Sequence, residues 1–189
     1  MPQPPVTYST KGNTLLTTTK LTPTPVKLPK RHRTNEGPSH ANLVDADACP
    51  VPIREILCRA ATRWQIQTTF IANHAISLPP SPYIQRRQVA HGFDVADKEI
   101  MDQMTQGDLV ITQDIPLAAE AIEKGADVFN PRGQAFTKEN IRQRLAMRNF
   151  MEEMRNAGQV TGGPAPFSQT DRKEFADKLD RWLQRNRQA

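Results

Sequence analysis

The sequence predicts an α/β domain with a central, mainly parallel sheet that helices cover on both faces. Two observations lead to this fold class. From Asn42 onward, short apolar runs that suit buried strands alternate with helical patterns. Acidic residues come directly after several of these runs, where polar side chains beyond the carboxyl ends of parallel strands are expected.

The first half of the domain is predicted to contain three strands and two helices. Leu43 and Val44 form a short buried strand, and Pro50 suits the start of a helix that runs to about Trp64. The apolar residues of that helix recur at i, i+3, i+4 and i+7. The other predicted elements are a strand over 67–72, a short strand near 88–90 and a helix over 95–105 that stops at Gly107.

The second half continues this alternation and ends in helices. The run 109–112 is predicted as a buried strand, 115–124 as a helix ended by Gly125, and 127–129 as a further strand. Thr137 is predicted to cap a helix that extends to about residue 156. The last helix is predicted to start at a capping box over 168–171, and its apolar stripe is predicted to pack on the domain through Phe175, Leu179, Trp182 and Leu183.

Residues 1–40 differ in composition from the rest of the chain. They hold seven of the sixteen prolines and nine threonines without hydrophobic periodicity, so we expect a disordered arm followed by a single domain over 41–189. The arm carries six basic residues against one acidic residue, which equals the whole net charge of +5. The domain is therefore neutral, and the basicity does not indicate its partner. The arm either contacts phosphates or is a dispensable solvated tail, and the second alternative is favoured.

Hydropathy and cysteine usage predict a cytoplasmic protein. No run approaches the roughly 18 apolar residues of a membrane helix, and the first thirty residues have no continuous apolar stretch. We therefore expect no membrane partner. Cys49 and Cys58 do not match a zinc-site spacing, so free thiols in a reducing compartment are predicted. A structural role is favoured for Cys49 over a nucleophilic one.

Four acidic residues are the candidate catalytic and metal-binding groups. Asp45 and Asp47 follow the first strand, and in an extended segment residues i and i+2 point to the same face. Asp97 lies at a predicted helix start, and Asp114 follows a later strand. Carboxylates gathered at one sheet edge repel each other, and Mg²⁺ or Mn²⁺ would relieve that repulsion. Helix capping or the helix dipole is a sufficient alternative explanation for each acid taken alone, with Asp94 fitting its helix's N-cap better than Asp97 does.

Three further residues are candidates for holding a substrate. Arg87 and Arg132 are predicted to lie in loops, where binding residues concentrate, and either guanidinium could hold a phosphate. Thr112 lies two residues before Asp114 and could orient a ligand or a water molecule. His74 and His91 are conceivable proton carriers, although loop histidines are more often bystanders.

Four motifs together resemble the bacterial YaiI/YqxD family, over a region that extends from about Asn42 to the C-terminus. They are Asp45-Ala46-Asp47-Ala48-Cys49-Pro50, Gly92-Phe93-Asp94-Val95-Ala96-Asp97, the run from Asp108 to Ala118, and Phe129-Asn130-Pro131-Arg132-Gly133. The family is similar in pattern to the PIN-like nucleases. That similarity implies a three-layer, Rossmann-like fold with metal-binding acids at Asp45, Asp97 and Asp114, and a looser match at Glu55.

Three hypotheses for function follow. The first is a metal-dependent phosphodiesterase or nuclease that acts on RNA or single-stranded nucleic acid. The second is a non-catalytic module that binds metal, nucleic acid or a nucleotide through the same pocket. The third is a phosphatase similar to haloacid dehalogenases, in which Asp45 would be the nucleophile and Asp47 the acid/base. No P-loop pattern is present, which disfavours a P-loop kinase or ATPase. The oligomeric state stays open.

Overall fold

The computed structural model describes residues 40–92, 94–158 and 165–186. The predicted arm therefore lies outside the described residues except for His40, and residues 159–164 lie outside them as well. In the described parts, six β-strands and five α-helices follow each other along the chain. They are β1 (Asn42–Asp45), α1 (Val51–Trp64), β2 (Thr68–Ala72), β3 (Ile84–Gln88), α2 (Val95–Gln103), β4 (Leu109–Ile111), α3 (Ile115–Glu123), β5 (Asp127–Phe129), β6 (Ala135–Phe136), α4 (Ile141–Asn156) and α5 (Gln169–Asn186).

The strands form one sheet with the order β3-β2-β1-β4-β5-β6. All neighbouring pairs are parallel except β5 and β6, which are antiparallel. From β1 the chain moves outward through β2 to β3 and then returns to β4 on the other side of β1. The strand order thus reverses between β1 and β4, which is the place where ligands bind in open α/β sheets. The predicted α/β class with a mainly parallel sheet is confirmed.

Helices cover the two faces of the sheet and form two separate cores. Successive strand residues point to opposite faces, so Val44, Phe70 and Ile111 pack with α1 and α5. Their neighbours Leu43 and Ile71 pack with α2, α3 and the first residue of α4. The predicted stripe of α5 is confirmed, because Phe175, Leu179, Trp182 and Leu183 are all buried in the first core. The fold therefore has three layers.

Two strands differ from the sequence-based expectation. The strand predicted near 88–90 lies at Ile84–Gln88 instead. It is an edge strand whose residues after Ile84 are polar and largely exposed, so no apolar run marks it. The two-residue strand β6 was not predicted, because a strand that short has no measurable periodicity.

The start of α4 was also predicted wrongly. The residue at its N-cap position is Asn140 and not Thr137. Thr137 N donates to Asn140 Oδ1 over 3.0 Å, and Asn140 N donates to Thr137 Oγ1 over 3.4 Å. The two side chains therefore close a turn ahead of the helix, a competing use of Asn and Thr side chains. The capping box of α5 is confirmed, because Ser168 N donates to Asp171 Oδ2 and Asp171 N to Ser168 Oγ.

Candidate acidic site at the sheet switch point

Asp45 is the last residue of β1 and is held in place by Thr112, which follows β4. The Thr112 Oγ1 hydroxyl donates to Asp45 Oδ2 over 2.9 Å, and Ala48 N donates to Asp45 Oδ1 over 3.4 Å. Asp45 is only 6% exposed and Thr112 only 1%. Because β1 and β4 are parallel neighbours, their carboxyl ends place these two side chains side by side.

Asp114 joins this arrangement through its backbone. Asp114 N donates to Thr112 Oγ1 over 3.0 Å, so one hydroxyl connects the two acids. The Asp114 Oδ1 atom accepts from Leu117 N over 2.8 Å and caps α3, as its position in the sequence predicts. Asp114 thus combines a capping role with a place at the switch point.

Asp97, in the first turn of α2, is electrostatically coupled to both acids. The pKa of Asp97 is raised to about 6. Burial is the largest cause, and the negative charges of Asp114, Asp45, Asp94 and Glu120 contribute in that order. Burial likewise raises the pKa of Asp45, against the hydrogen bond from Thr112, which lowers it. The sequence-based expectation that Asp45, Asp97 and Asp114 gather at one sheet edge agrees with these interactions.

A cavity of about 630 Å³ lies between α2, α3 and α4 at this edge. Its lining combines acidic residues with three basic ones. The acids are Asp94, Asp97, Asp102, Asp114 and Glu120, and the bases are Lys98, Lys124 and Arg148. Asp45 is not among the lining residues. The cavity therefore offers an acidic site with cations at its border.

Asp47 does not face this cavity, which corrects the expectation that it shares a face with Asp45. β1 ends at Asp45, and residues 46–49 form a bend, so the alternation of an extended strand no longer applies. Asp47 Oδ2 accepts from Asn73 N over 2.9 Å, and its Oδ1 lies 2.7 Å from His74 Nδ1. Asp47 therefore faces the end of β2.

The two candidate arginines have partners within the protein. Arg87 lies in β3 and not in a loop, which corrects its predicted position, and its Nε is 2.7 Å from Glu99 Oε1. Arg132 Nη1 is 2.6 Å from Asp171 Oδ2, and its Nη2 donates to the carbonyl of Ala165. Arg132 thus connects the turn after β5 to the start of α5. Their role in substrate binding stays a prediction.

The structure also bears on four other predictions, made for Asp94, Cys49, the pair of cysteines and Glu55. Asp94 occupies the N-cap position of α2 but in a left-handed conformation with φ of +56°, and its side chain makes no capping hydrogen bond. Burial raises the pKa of Cys49 to about 12, which agrees with a structural thiol. Cys49 and Cys58 are both free, as predicted. Glu55 is exposed, lies 3.9 Å from Arg172 and is not among the cavity residues.

Sequence reasoning missed several residues of the cavity, chiefly on α2 and α3. A usable signal was present in α2, where the cavity residues are spaced i, i+3, i+4, i+7 and i+8 and therefore share one side of the helix. These residues are Asp94, Asp97, Lys98, Met101 and Asp102. Glu120, Lys124 and Arg148 come from α3, the turn after it and α4, so only the packing of these elements brings them to the site.

The site suits a hard divalent cation in donor type and charge. Carboxylate oxygens are the ligands that Mg²⁺ and Mn²⁺ prefer. Burial is the main cause of the raised pKa values of Asp45 and Asp97, and the negative charges of neighbouring acids, which a cation would offset, add to it. Within the described residues, however, no three His, Cys, Asp or Glu side chains stand close enough to hold an ion together. The site therefore fits Mg²⁺, because this ion usually keeps several water ligands and binds only one or two carboxylates of the protein directly.

Comparisons with known proteins give a family but no activity. A model of the family described as "Uncharacterized BCR, YaiI/YqxD family" matches residues 43–185. Proteins named "UPF0178 protein" are similar to the chain over most of their own length. The one from Marinobacter nauticus is 94% identical over 76% of this chain and 95% of its own. The proteins from Dechloromonas aromatica and Aeromonas salmonicida are 62% and 59% identical, each over 74% of this chain and 93% of their own.

No solved structure matches the chain. The similarity to PIN-like nucleases therefore stays a prediction. The helices in the described ranges are too short or too polar to cross a lipid bilayer.

Proposed function

Because the chain belongs to the YaiI/YqxD family, whose description names no activity, we propose a function from the site itself: a divalent-metal-dependent phosphodiesterase that acts on RNA or other single-stranded nucleic acid. The observation that carries the proposal is the connection of Asp45 and Asp114 through Thr112 at the switch point. Asp97 lies within electrostatic reach of both acids. Carboxylates at this position of a parallel sheet suit metal-assisted chemistry on phosphates.

Asp45, Asp97 and Asp114 are the residues that would hold Mg²⁺ or Mn²⁺, one or two of them directly and the rest through bound water molecules. When bound, such an ion supplies charge neutralisation at the phosphate and a more acidic water molecule. Asp47, which the sequence suggested as a fourth ligand, is left out of the set because its carboxylate faces the end of β2, where it contacts Asn73 N and His74, although its charge also raises the pKa of Asp45.

The other residues around the site have separate roles in this proposal. Thr112 fixes the orientation of the Asp45 carboxylate by a buried hydrogen bond, so that Asp45 Oδ2 cannot rotate freely. Lys98, Lys124 and Arg148 border the cavity and would offset the negative charge of a phosphodiester that approaches five acids. Binding of substrate thus depends on residues that differ from those that would hold the metal.

One observation favours the second hypothesis, a module that binds without turnover. The described acids do not form a complete set of ligands around one ion. A module that only binds nucleic acid or a nucleotide does not need such a set. The third hypothesis, a phosphatase with Asp45 and Asp47 acting together, is disfavoured because Asp47 contacts the end of β2. Turnover decides between the first two hypotheses.

The experiment is a hydrolysis assay on single- and double-stranded RNA and DNA with Mg²⁺, Mn²⁺ or EDTA. We expect cleavage of single-stranded RNA with metal and none with EDTA. Asp114→Asn should abolish it, because the variant keeps the size of the side chain but removes one charge from the cation's surroundings. Asp177→Asn, which removes an exposed acid of α5, is the matched control and should cleave like the wild type. Absence of cleavage on every strand would leave the binding module as the better account.

A further inference from the structure

Helix α4 carries an exposed apolar stripe. Met147 is 56% exposed and Phe150 is 54% exposed, and both belong to the few large hydrophobic residues that the described parts leave this open to solvent. With Met151 and Met154 they recur at i, i+3, i+4 and i+7, the spacing of one helix face. Of the residues of α4, Ile141 alone is buried. Among the residues that the structure describes, the distal half of the helix therefore presents Met147 and Phe150 to solvent, with the partly buried Met151 and Met154 beside them.

A row of arginines runs beside this stripe. Arg144, Arg148 and Arg155 are spaced i, i+4 and i+11, which places them along one side of the helix. The guanidinium of Arg144 lies over the ring of Phe136 at 5.1 Å, so its position is fixed by the domain. The side chain of Arg148 is 40% exposed and lies 3.6 Å from Glu152, an ion pair that contributes little at this exposure. Arg148 is thus available to an anionic partner.

Arg148 also borders the acidic cavity, together with Asp114 and Glu120. The arginine row and the cavity are therefore one continuous surface. A polyanion that approaches the cavity meets five acids there, which repel its phosphates, so a cationic path beside the cavity is needed to guide it.

We propose that the stripe and the arginine row of α4 form a binding track that leads single-stranded nucleic acid to the acidic cavity. The inference rests on the proposed function, because it uses the same cavity as the end of the track. Unpaired bases would stack on Phe150 and contact the methionines, while Arg144, Arg148 and Arg155 would contact phosphates. A duplex keeps its bases paired and stacked, so the track selects single strands.

A second copy of the chain is the other candidate for covering the stripe. The four apolar residues span eight positions, or roughly 12 Å of helix at 1.5 Å per residue. A stable dimer buries about 800 Å² on each partner, which exceeds what so short a stripe offers. The arginines beside the stripe favour an anionic partner. Arg148 also lines the acidic cavity, so an anion bound along the arginine row would extend to the cavity.

The test measures binding of a short fluorescein-labelled single-stranded RNA to the full chain in EDTA, where turnover is absent. Phe150→Ala should weaken binding at least about fivefold, the lower end of what one stacked base contributes. Arg148→Ala should weaken it and make the slope of log affinity against log salt shallower by about 0.7, as expected for one lost phosphate contact. Arg142→Ala removes the same charge from another side of α4, and Val51→Ala shortens an equally exposed residue of α1. Both controls should bind like the wild type.

A site-specific cross-link completes the test, because the basic arm can also attract RNA. With 4-thiouridine in the strand, the tryptic peptide 149–155, which contains Phe150 and two of the methionines, should carry the cross-link. Cross-links confined to residues 1–39, unchanged affinity in both Phe150→Ala and Arg148→Ala, or no binding by the wild type would overturn the inference. So would a wild-type dimer that becomes monomeric in Phe150→Ala while its RNA affinity is unchanged. Binding through α4 without hydrolysis in Mn²⁺ would instead retain the track and reject the phosphodiesterase.

Discussion

The hydroxyl group of Thr112 donates a hydrogen bond to Asp45 Oδ2 over 2.9 Å, across the point where the order of the strands reverses. The Thr112 Oγ1 atom also accepts the backbone N–H of Asp114 over 3.0 Å. A single buried side chain therefore fixes the positions of two acids, one at the end of β1 and one after β4. Removal of this hydroxyl should affect both the stability of the fold and the acidity of Asp45.

We predict that Thr112→Val destabilises the protein by about 1 to 3 kcal/mol, although valine has nearly the same shape. The reason is that a buried carboxylate and a buried N–H each lose a partner. Urea unfolding measures the change. Thr112→Ser is the matched control, since it keeps the hydroxyl and should retain most of the stability. Equal losses in the two variants would show that packing of the methyl group, and not the hydrogen bond, is what Thr112 provides.

The pKa of Asp97 predicts a specific pH dependence of the metal-free protein. Because this pKa is raised from 3.8 to about 6, the folded state binds more protons than the unfolded state between these values. Stability should therefore fall as the pH rises from about 4 to about 6 and stay lower above it. Asp97→Asn should remove this part of the pH dependence and be more stable than the wild type at pH 7 by about 1 to 2 kcal/mol, after allowance for solvent screening.

Chemical unfolding at a series of pH values in EDTA tests this prediction. Asp102→Asn, which removes an exposed acid from the same helix and the same cavity, is the control and should keep the fall between pH 4 and 6. A variant at position 97 with an unchanged pH profile would mean that Asp97 is not the group that titrates there.

The two roles of Asp114 can be separated by two substitutions. Asp114→Asn keeps an oxygen for the Leu117 N–H and should leave stability within a few tenths of a kcal/mol, since Asn and Asp are comparable caps. Asp114→Ala should cost about 1 kcal/mol through loss of the cap. Both variants should lose hydrolysis. Thermal melts measured beside the activity assay give the answer, and an Asn variant that stays fully active would reduce Asp114 to a helix cap.

Arg132 is expected to act in folding and not in substrate binding. Its guanidinium contacts Asp171 and the carbonyl of Ala165 and lies over the ring of Phe167, all near the start of α5. Arg132→Ala should lower the melting temperature and leave the affinity for single-stranded RNA unchanged. Arg148→Ala should instead weaken binding of single-stranded RNA and change the melting temperature little. If Arg132→Ala weakens binding while the fold stays intact, the original interpretation of Arg132 as a phosphate ligand is restored.

Much of the fold could be predicted because its signals are local. The apolar runs of β1, β2 and β4, the prolines at the start of α1 and α3, and the capping box of α5 each occupy a few consecutive residues. The position of the edge strand β3 was not predicted correctly, because its residues after Ile84 are polar and show no apolar alternation. Thr137 was chosen as a cap because nothing in the sequence shows that Asn140 would compete for the same turn.

The candidate site was predictable only in part, for a related reason. Asp45 and Asp114 were placed correctly because the carboxyl ends of parallel neighbours meet at one edge. The position of Asp47 was predicted wrongly because the strand ends at Asp45, two residues before Asp47, so the alternation of side chains does not continue to that residue. Glu120 and Arg148 lie on helices whose packing angles the sequence does not encode locally, so their place at the cavity could not be foreseen.

We propose that Asp45, Asp97 and Asp114 hold a divalent cation at the switch point, with one or two of the carboxylates bound directly to the ion and the rest through water. Calorimetric titration of the metal-free wild type with Mn²⁺ tests it most directly, with Asp45→Asn and Asp114→Asn beside it and Asp177→Asn as the control. We expect saturable binding in the wild type and the control, and a loss of at least about tenfold in affinity in each site variant, the lower end of what loss of even an outer-shell partner costs a metal site. No saturable heat in the wild type, or equal affinity in all four proteins, would contradict it.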